Sequence, residues 1–148
     1  MMIKEKNNIP NNCIELEFTE SLIFGNHNLF QSIVSDCRRN GFLCSMDDFG
    51  AGYSSLNLLR SISVDTLKLD GLFFQTDADS ERGQKLVTSI IAMAKSLNMK
   101  TVAEGVETEI QVQQLREMGC DSIQGYVFAK PFPIYDFISF VNNWNNGK

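Results

Sequence analysis

Acidic side chains lie at or just after the ends of four stretches of the chain whose apolar or alternating pattern is typical of a β-strand. The acids at these positions are Glu17 and Glu20, Asp47 and Asp48, Asp70, and Glu104 and Glu107. Carboxylates that converge on one place repel one another, and a hard divalent cation, Mg²⁺ or Mn²⁺, with oxygen ligands relieves that repulsion. A pair of such ions is suited to the hydrolysis of a phosphodiester. Lys68 lies two residues before Asp70 and would suit a phosphate oxygen or an attacking water molecule.

The same acids have a plainer interpretation as helix caps. An acid at the start of a helix stabilises the free N–H groups of the first turn, and Glu20, Asp48 and Glu107 each stand where a helix could follow. The recurrence of acids after so many strands favours a shared site instead. In a parallel α/β fold the carboxyl ends of the strands form one rim, and ligands bind there.

Strand-like and helix-like patterns alternate along the chain and would position these residues. The predicted strands cover residues 14–19, 43–46, 66–70, 100–103 and 122–128. A first helix carries Phe30, Ile33, Val34 and Cys37 and stops at Gly41, and further helices are predicted over 54–62, 80–97, 108–118 and 135–144. In the helix over 80–97 we expect one apolar stripe, formed by Leu86, Ile90, Met93, Ala94 and Leu97. Strand alternation puts Glu15 and Glu17 on one face, and Lys68 and Asp70 on the matching face of the third strand.

Five successive βα units predict an α/β fold with parallel strands and right-handed crossovers. An open doubly wound sheet and part of a (β/α)₈ barrel both satisfy this pattern. A complete barrel needs about 250 residues, whereas the chain has 148. We therefore expect a polar lead-in over residues 1–13, and over residues 14–148 a domain that cannot close an eight-stranded barrel as a single chain.

Composition narrows the classes of partner. With 13 basic and 18 acidic residues the net charge is −5, so the basic stripe that grips a polymeric nucleic acid is not expected. The sequence has no apolar run of the length that spans a membrane, and its polar start does not resemble a secretory signal. The four cysteines are scattered, which indicates reduced thiols rather than a zinc site or disulfides. We expect a cytoplasmic protein without a membrane segment.

Five motifs occur in order along the chain. They are EFTE at 17–20, DDFGAGYSSL at 47–56, LKLD at 67–70, AEGVET at 103–108 and QGYVFAKP at 124–131. In this order and spacing the sequence resembles EAL domains, the phosphodiesterases that open cyclic di-GMP to linear pGpG. The resemblance implies the C-terminal portion, about five βα units, of a TIM-like (β/α)₈ barrel. It also implies two Mg²⁺ or Mn²⁺ ions at the C-terminal rim of that barrel.

The resemblance carries roles to single residues. Glu17, Asp47 and Asp48 match acids that bind the metals, with Asp48 between the two ions. Lys68 matches the lysine that orients the attacking water, and Glu104 matches an acid linked to the metal.

Further roles concern the surroundings of the site. Gln124 matches an active-site glutamine, and Asp70 and Glu107 are candidates to orient the metal ligands. Glu20 resembles the glutamate that secures the loop over 48–54, which couples dimerisation to metal binding. Pro131 and Phe132 lie where the family contacts a guanine base. The resemblance implies cyclic di-GMP as ligand, and a homodimer or a pairing with another EAL chain.

The sequence departs from the family in its first part. The Glu-Ala-Leu motif that names the family and an upstream asparagine ligand would both precede residue 1, so we expect a truncated domain with impaired or no hydrolysis. A non-catalytic module that binds cyclic di-GMP or pairs with an intact homologue is the alternative. A receiver-like phosphoacceptor domain also gathers acids and a lysine. Its lysine would follow the last strand, however, and Lys68 lies on the same predicted strand as Asp70.

Overall fold

A computed structural model of the chain describes residues 2–19, 27–50, 59, 62–74 and 80–146. The strands in these residues are β1 (Glu15–Thr19), β2 (Leu43–Phe49), β3 (Thr66–Leu69), β4 (Lys100–Ala103) and β5 (Ser122–Ile123). The helices are α1 (Met2–Lys6), α2 (His27–Arg39), α3 (Glu81–Ser96), α4 (Glu109–Glu117) and α5 (Ile134–Asn146), with a 3₁₀ turn at Gly71–Phe74. No helix in the described part of the chain is long and apolar enough to cross a membrane.

The described strands form one sheet in the order β1-β2-β3-β4-β5, and every neighbouring pair is parallel. A doubly wound sheet reverses its order at a switch point, whereas in a barrel each strand lies beside its predecessor all the way round. The predicted α/β fold is therefore confirmed, and the sequential order identifies the sheet as a five-stranded arc of a TIM-like barrel.

The hydrophobic core lies between the outer face of this arc and the helices. Leu67, Leu69 and Ala103 point outward at paired positions of β3 and β4 and are fully buried. Met46 on β2 pairs with Leu67 and is also fully buried. The inner face of the arc carries Glu17, Asp47 and Lys68, and this division leaves the inner face for chemistry.

Helix α3 packs on the sheet through a stripe one residue removed from the predicted one. Ile90 and Ala94 are buried as expected, but Leu86 is 53% exposed. The buried stripe starts at Val87 and includes Ile91. Two overlapping apolar stripes exist in this sequence, and only packing against the sheet selects between them. The helix begins where predicted, because the Ser80 side chain accepts a hydrogen bond from the backbone N–H of the third helical residue.

Two strands differ in length from the prediction. Strand β2 continues through Phe49, three residues beyond the predicted end at 46. Strand β5 stops at Ile123, not at residue 128, because the chain turns there: the N–H of Phe128 donates to the carbonyl of Gly125 at 3.2 Å. Of the helix predicted over 54–62, only Leu59 and Ile62 lie within the described residues, and both are buried.

Aspartates join the strands at their N-terminal ends. Asp65 precedes β3 and accepts the N–H of Cys44 on β2 at 2.9 Å. Asp121 precedes β5 and accepts both the N–H and the hydroxyl of Thr101 on β4, at 2.9 and 2.8 Å. Hydrogen bonds at this end of a barrel serve stability.

The segment predicted as a polar lead-in contains α1. Lys4 of this helix donates from Nζ to the carbonyl of Asn40 at 2.7 Å. A lysine at that position neutralises the negative end of α2.

Candidate active site

The C-terminal end of β2 contains a β-bulge. Met46 pairs with Leu67 and Phe49 pairs with Leu69, so that Asp47 and Asp48 together stand opposite a single residue of β3. Regular alternation would turn Phe49 to the inner face, and the extra residue returns it to the core, where it is 3% exposed. Asp48 adopts a left-handed φ of 56°, which aspartate accepts more readily than most residues. Bulges of this kind often re-aim side chains next to active sites.

Three carboxylates surround the ammonium of Lys68. Its Nζ lies 2.7 Å from Oε1 of Glu17, 2.9 Å from Oδ1 of Asp47 and 3.0 Å from Oε1 of Glu104. The lysine lies on β3, and the acids come from β1, from β2 and from the residue directly after β4. Adjacent parallel strands thus bring together side chains that are up to 87 positions apart in sequence (Glu17 to Glu104). We call these four side chains the Lys68 cluster.

Burial strengthens the interactions within the Lys68 cluster. The side chains of Lys68, Asp47 and Glu104 are 10%, 20% and 18% exposed, whereas that of Glu17 is 53% exposed. Burial alone would lower the pKa of Lys68, but the hydrogen bonds that its ammonium donates to the three carboxylates raise that pKa above its usual value. Lys68 is therefore charged at every physiological pH.

The two buried acids titrate differently. Burial acts to raise the pKa of Asp47, but the hydrogen bond and charge of Lys68 outweigh it and hold this pKa below its ordinary value. Burial also raises the pKa of Glu104; Lys68 only partly opposes this, and the nearby Asp47 charge adds to the increase. Of these two acids, Glu104 consequently binds a proton more readily than Asp47.

The donor set of the Lys68 cluster fits a divalent cation in charge and in chemistry. Three carboxylates against one ammonium leave two negative charges without partners in the cluster, and carboxylate oxygens are the ligands that Mg²⁺ and Mn²⁺ prefer. Asp47 Oδ1 is buried and forms an ion pair with Lys68 Nζ, 2.9 Å away. Among the described residues no three acidic, histidine or cysteine side chains are already arranged around one metal position, so the carboxylates must rotate to hold an ion.

The other acids singled out from the sequence lie outside the Lys68 cluster. Asp48 is exposed at the bulge, next to Asp47. Asp70 accepts the backbone N–H of Leu72 at 2.7 Å and so caps the 3₁₀ turn at Gly71–Phe74. Glu107 is exposed and lines a neighbouring cavity. Glu20 lies outside the described residues, so its predicted contact with the loop over 48–54 stays a prediction.

The loop after β5 packs tightly against the loop after β4. The N–H of Gln124 donates to Ala103 at 2.8 Å, and its carbonyl accepts from Val106 at 3.2 Å. A Cβ atom on Gly125 would lie 1.9 Å from the carbonyl oxygen of Val106, so only glycine permits this approach. The register of β4 and β5 places Gln124 beside Glu104 on the inner face.

A cavity of about 770 Å³ opens beside Gln124. Its lining includes the predicted base-contact residues Pro131 and Phe132, but no member of the Lys68 cluster. Aromatic and charged residues that sequence reasoning did not select also line it: Tyr126, Phe128, Lys130, Phe137 and Phe140. A cavity of this size with mixed apolar and polar walls suits a ligand of nucleotide size. The aromatic spacing after residue 124 was the available signal for these residues.

Comparisons with known proteins agree on one family. The family model "EAL domain" matches residues 2–131. The chain is 43% identical over 121 residues to the cyclic di-GMP phosphodiesterase NbdA of Pseudomonas aeruginosa. The aligned residues make up 82% of this chain and 16% of NbdA. The chain thus spans a small part of that relative.

Solved structures give the same result. The EAL domain of Mycobacterium smegmatis DcpA superposes with a TM-score of 0.88 at 32% identity, over 96% of this chain and 64% of that one. A manganese and cyclic di-GMP complex of Klebsiella pneumoniae BlrP1 superposes with a TM-score of 0.73 at 32% identity, over 79% of this chain and 30% of that one. The five-stranded arc, the family match over most of the chain and these likenesses lead to one conclusion: the chain belongs to the EAL domain family.

Proposed function

We propose that this chain carries most of the active site of a cyclic di-GMP phosphodiesterase, which hydrolyses the cyclic dinucleotide to linear pGpG. The observation that supports this best is the Lys68 cluster, in which carboxylates from β1, from β2 and from the residue directly after β4 meet around one lysine. Buried like charges are costly unless they bind something. The names of NbdA and BlrP1 supply the ligand, because one is a cyclic di-GMP phosphodiesterase and the other was solved with manganese and the dinucleotide.

Each residue receives a role in this proposal. Glu17, Asp47 and Asp48 hold Mg²⁺ or Mn²⁺. Two divalent ions, when bound, supply charge stabilisation at the phosphodiester and an acidified water. Lys68 donates hydrogen bonds and can orient the attacking water. Glu104 is suited to accept a proton, because its pKa is raised by burial.

The cavity beside the Lys68 cluster holds the rest of the ligand. Gln124 lies between the Lys68 cluster and the cavity and contacts the dinucleotide, while Pro131 and Phe132 form a surface for one guanine base. Asp70 and Glu107 keep the neighbouring loops in place, and Glu20 secures the loop over 48–54.

We propose further that these 148 residues alone hydrolyse cyclic di-GMP slowly or not at all. The sequence contains no Glu-Ala-Leu motif, and the residues that the structure describes form five strands, whereas a closed barrel has eight. Loss of a single preorganised contact in an active site lowers the rate by about 10²–10³-fold. The alternative function is a non-catalytic module that binds cyclic di-GMP or pairs with another EAL chain, and the open cavity beside Gln124 favours retained binding.

One experiment separates these functions. Binding of cyclic di-GMP to the purified chain is measured calorimetrically with Mn²⁺ and with EDTA, and pGpG formation is followed by chromatography. We expect Mn²⁺-dependent binding and weak turnover, both lost in Asp47→Asn and both kept in the matched surface variant Asp36→Asn. Binding without any turnover supports the non-catalytic module. If the chain binds no cyclic di-GMP with Mn²⁺ and none with EDTA, the proposal is refuted.

A further inference from the structure

The side-chain amide of Gln111 connects two loops at the C-terminal end of the sheet. Gln111 lies in the first turn of α4. Its Oε1 accepts the backbone N–H groups of Glu107 and Thr108, both at 3.0 Å, and its Nε2 donates to the carbonyl of Phe74 at 3.0 Å. Two N–H groups at one end of the amide and a carbonyl at the other fix its orientation. One side chain thereby joins the loop after β4 to the 3₁₀ turn after β3.

These two loops continue directly from the Lys68 cluster. Lys68 lies three residues before the turn at Gly71–Phe74, and Glu104 lies three residues before Glu107. The side chains of Lys68 and Glu104 meet at 3.0 Å between Nζ and Oε1. The loops themselves are in close contact, because a Cβ atom on Gly105 would lie 3.3 Å from the Cα atom of Gly71. A shift of the turn would therefore move the backbone directly beside Glu104.

The start of α4 does not require the donor group of Gln111. Thr108 caps this helix: its hydroxyl oxygen accepts the N–H of Gln111 at 3.3 Å, and the Gln111 side chain accepts the N–H of Thr108 in return, which forms a capping box. Glutamate completes a capping box as well as glutamine does, because the box uses only a side-chain acceptor. The cap thus accounts for an acceptor at position 111, and the bond to Phe74, 37 positions earlier, accounts for the amide.

We propose that Gln111 is a positioning residue: its bond to Phe74 fixes the turn after β3 against the loop after β4, and so holds Lys68 beside Glu104 for binding of a divalent cation and cyclic di-GMP. The identity of these ligands rests on the proposed function, whereas the contact between the loops does not. Positioning matters because a displacement of about 1 Å at an active site lowers the rate by about 10²-fold.

Two substitutions separate the contact with Phe74 from the helix cap. Gln111→Glu keeps the acceptor that completes the capping box, but it replaces the Nε2 donor by an oxygen, which repels the Phe74 carbonyl. Thr108→Ala removes the hydroxyl that caps α4 and leaves the amide of Gln111 in place. Gln113→Glu introduces the same charge at an exposed position of the same helix and is the matched control.

Hydrogen exchange of the 148-residue chain measures the contact without any ligand. The N–H groups of Leu72 and Phe73 are bonded to Asp70 and report on opening of the turn. For Gln111→Glu we expect exchange over residues 71–74 to be about tenfold faster than in the wild type. Thr108→Ala should speed exchange at the N–H of Gln111 and leave residues 71–74 unchanged, and Gln113→Glu should change neither.

Calorimetry with Mn²⁺ and cyclic di-GMP measures the consequence for the site. We expect Kd to rise about tenfold for Gln111→Glu and to stay within about twofold of the wild-type value for Thr108→Ala and Gln113→Glu. Thr108→Ala should lower Tm without weakening binding. Binding that does not follow Tm distinguishes a positioning role from a purely structural one.

Three outcomes would overturn the positioning role: wild-type exchange over residues 71–74 in Gln111→Glu, equal losses of binding in Gln111→Glu and Thr108→Ala, or faster exchange of the turn with an unchanged Kd. The proposed function is judged separately. If the wild-type chain binds no cyclic di-GMP, the proposed function fails, and exchange over residues 71–74 alone then decides whether Gln111 holds the turn.

Discussion

Substitution of Lys68 by methionine removes the one positive charge at the centre of the Lys68 cluster while keeping a similar side-chain volume. Three carboxylates then face one another without a counter-ion at 2.7–3.0 Å from the former ammonium. Removal of one partner from a buried ion pair costs about 3–5 kcal/mol. Because the Glu17 side chain is 53% exposed and stays solvated, we reduce this to about 2–4 kcal/mol of unfolding free energy. For a chain of this length that corresponds to a fall in Tm of about 5–15 °C.

The loss depends on pH in a defined direction. Asp47 has a pKa below its usual 3.8, so its contribution is present above that value and is lost as the pH falls through the lower, folded-state pKa. Lys68 has a pKa above its usual 10.5, so its contribution is present below that value and is lost as the pH rises further. The difference between wild type and Lys68→Met is therefore greatest between about pH 5 and pH 10. Below this range it shrinks as the acids are protonated, beginning with Glu104, whose pKa is raised.

Urea unfolding at pH 7 and pH 3 measures this difference. The control is Lys85→Met on α3, which breaks an exposed ion pair to Glu81 with side chains 73% and 83% exposed. Such a pair contributes about 0.3–0.5 kcal/mol. Mn²⁺ at millimolar concentration is expected to restore more stability to Lys68→Met than to wild type, since the ion can take the place of the ammonium. If Lys68→Met is as stable as the wild type at pH 7, the electrostatic reasoning is refuted.

Two further substitutions test the ends of the sheet. Asp121→Ala leaves the buried N–H and hydroxyl of Thr101 without their acceptor, which costs about 1–3 kcal/mol. Burial acts to raise the pKa of Asp121, but the hydrogen bonds with Thr101 outweigh burial and lower this pKa below its usual 3.8. The urea midpoints of variant and wild type should therefore converge as the pH falls below 3.8. Equal midpoints at pH 7 would contradict this. Gly125→Ala drives a Cβ into the Val106 carbonyl and should lower Tm and weaken cyclic di-GMP binding. The control Gly83→Ala, in α3, should raise Tm slightly. A Gly125→Ala variant with wild-type Tm would contradict the close approach.

The sequence was sufficient to predict the parallel α/β fold and the family, because strand and helix patterns are local. Strand β4 has the predicted bounds, and α3 and α4 each start one residue after the predicted starts at Ser80 and Thr108, which cap them. Errors occurred where tertiary contacts decide. Leu86 and Val87 are both apolar, and only the sheet selects which one is buried.

The candidate site was predictable in part. Acids at strand ends can be read from the sequence, and parallel pairing is enough to expect Glu17, Asp47 and Glu104 on one rim. The bulge at Asp48 was not predictable, since it depends on Phe49 returning to the core against Leu69. The hydrogen bonds of Asp65 and Asp121 to neighbouring strands also required the register of the sheet, which no single segment contains.

The two ends of the sheet differ in how completely their charges are satisfied. At the N-terminal end, Asp121 accepts two hydrogen bonds from β4, and Asp65 accepts one from β2 and pairs with Arg38 at 3.1 Å. At the C-terminal end, the Lys68 cluster keeps an excess of negative charge, and the bulge adds a left-handed Asp48. Strain and unbalanced charge reduce stability, and they persist in proteins where function needs them. Cations that bind the Lys68 cluster should therefore stabilise this chain, whereas changes at Asp65 or Asp121 can only weaken it.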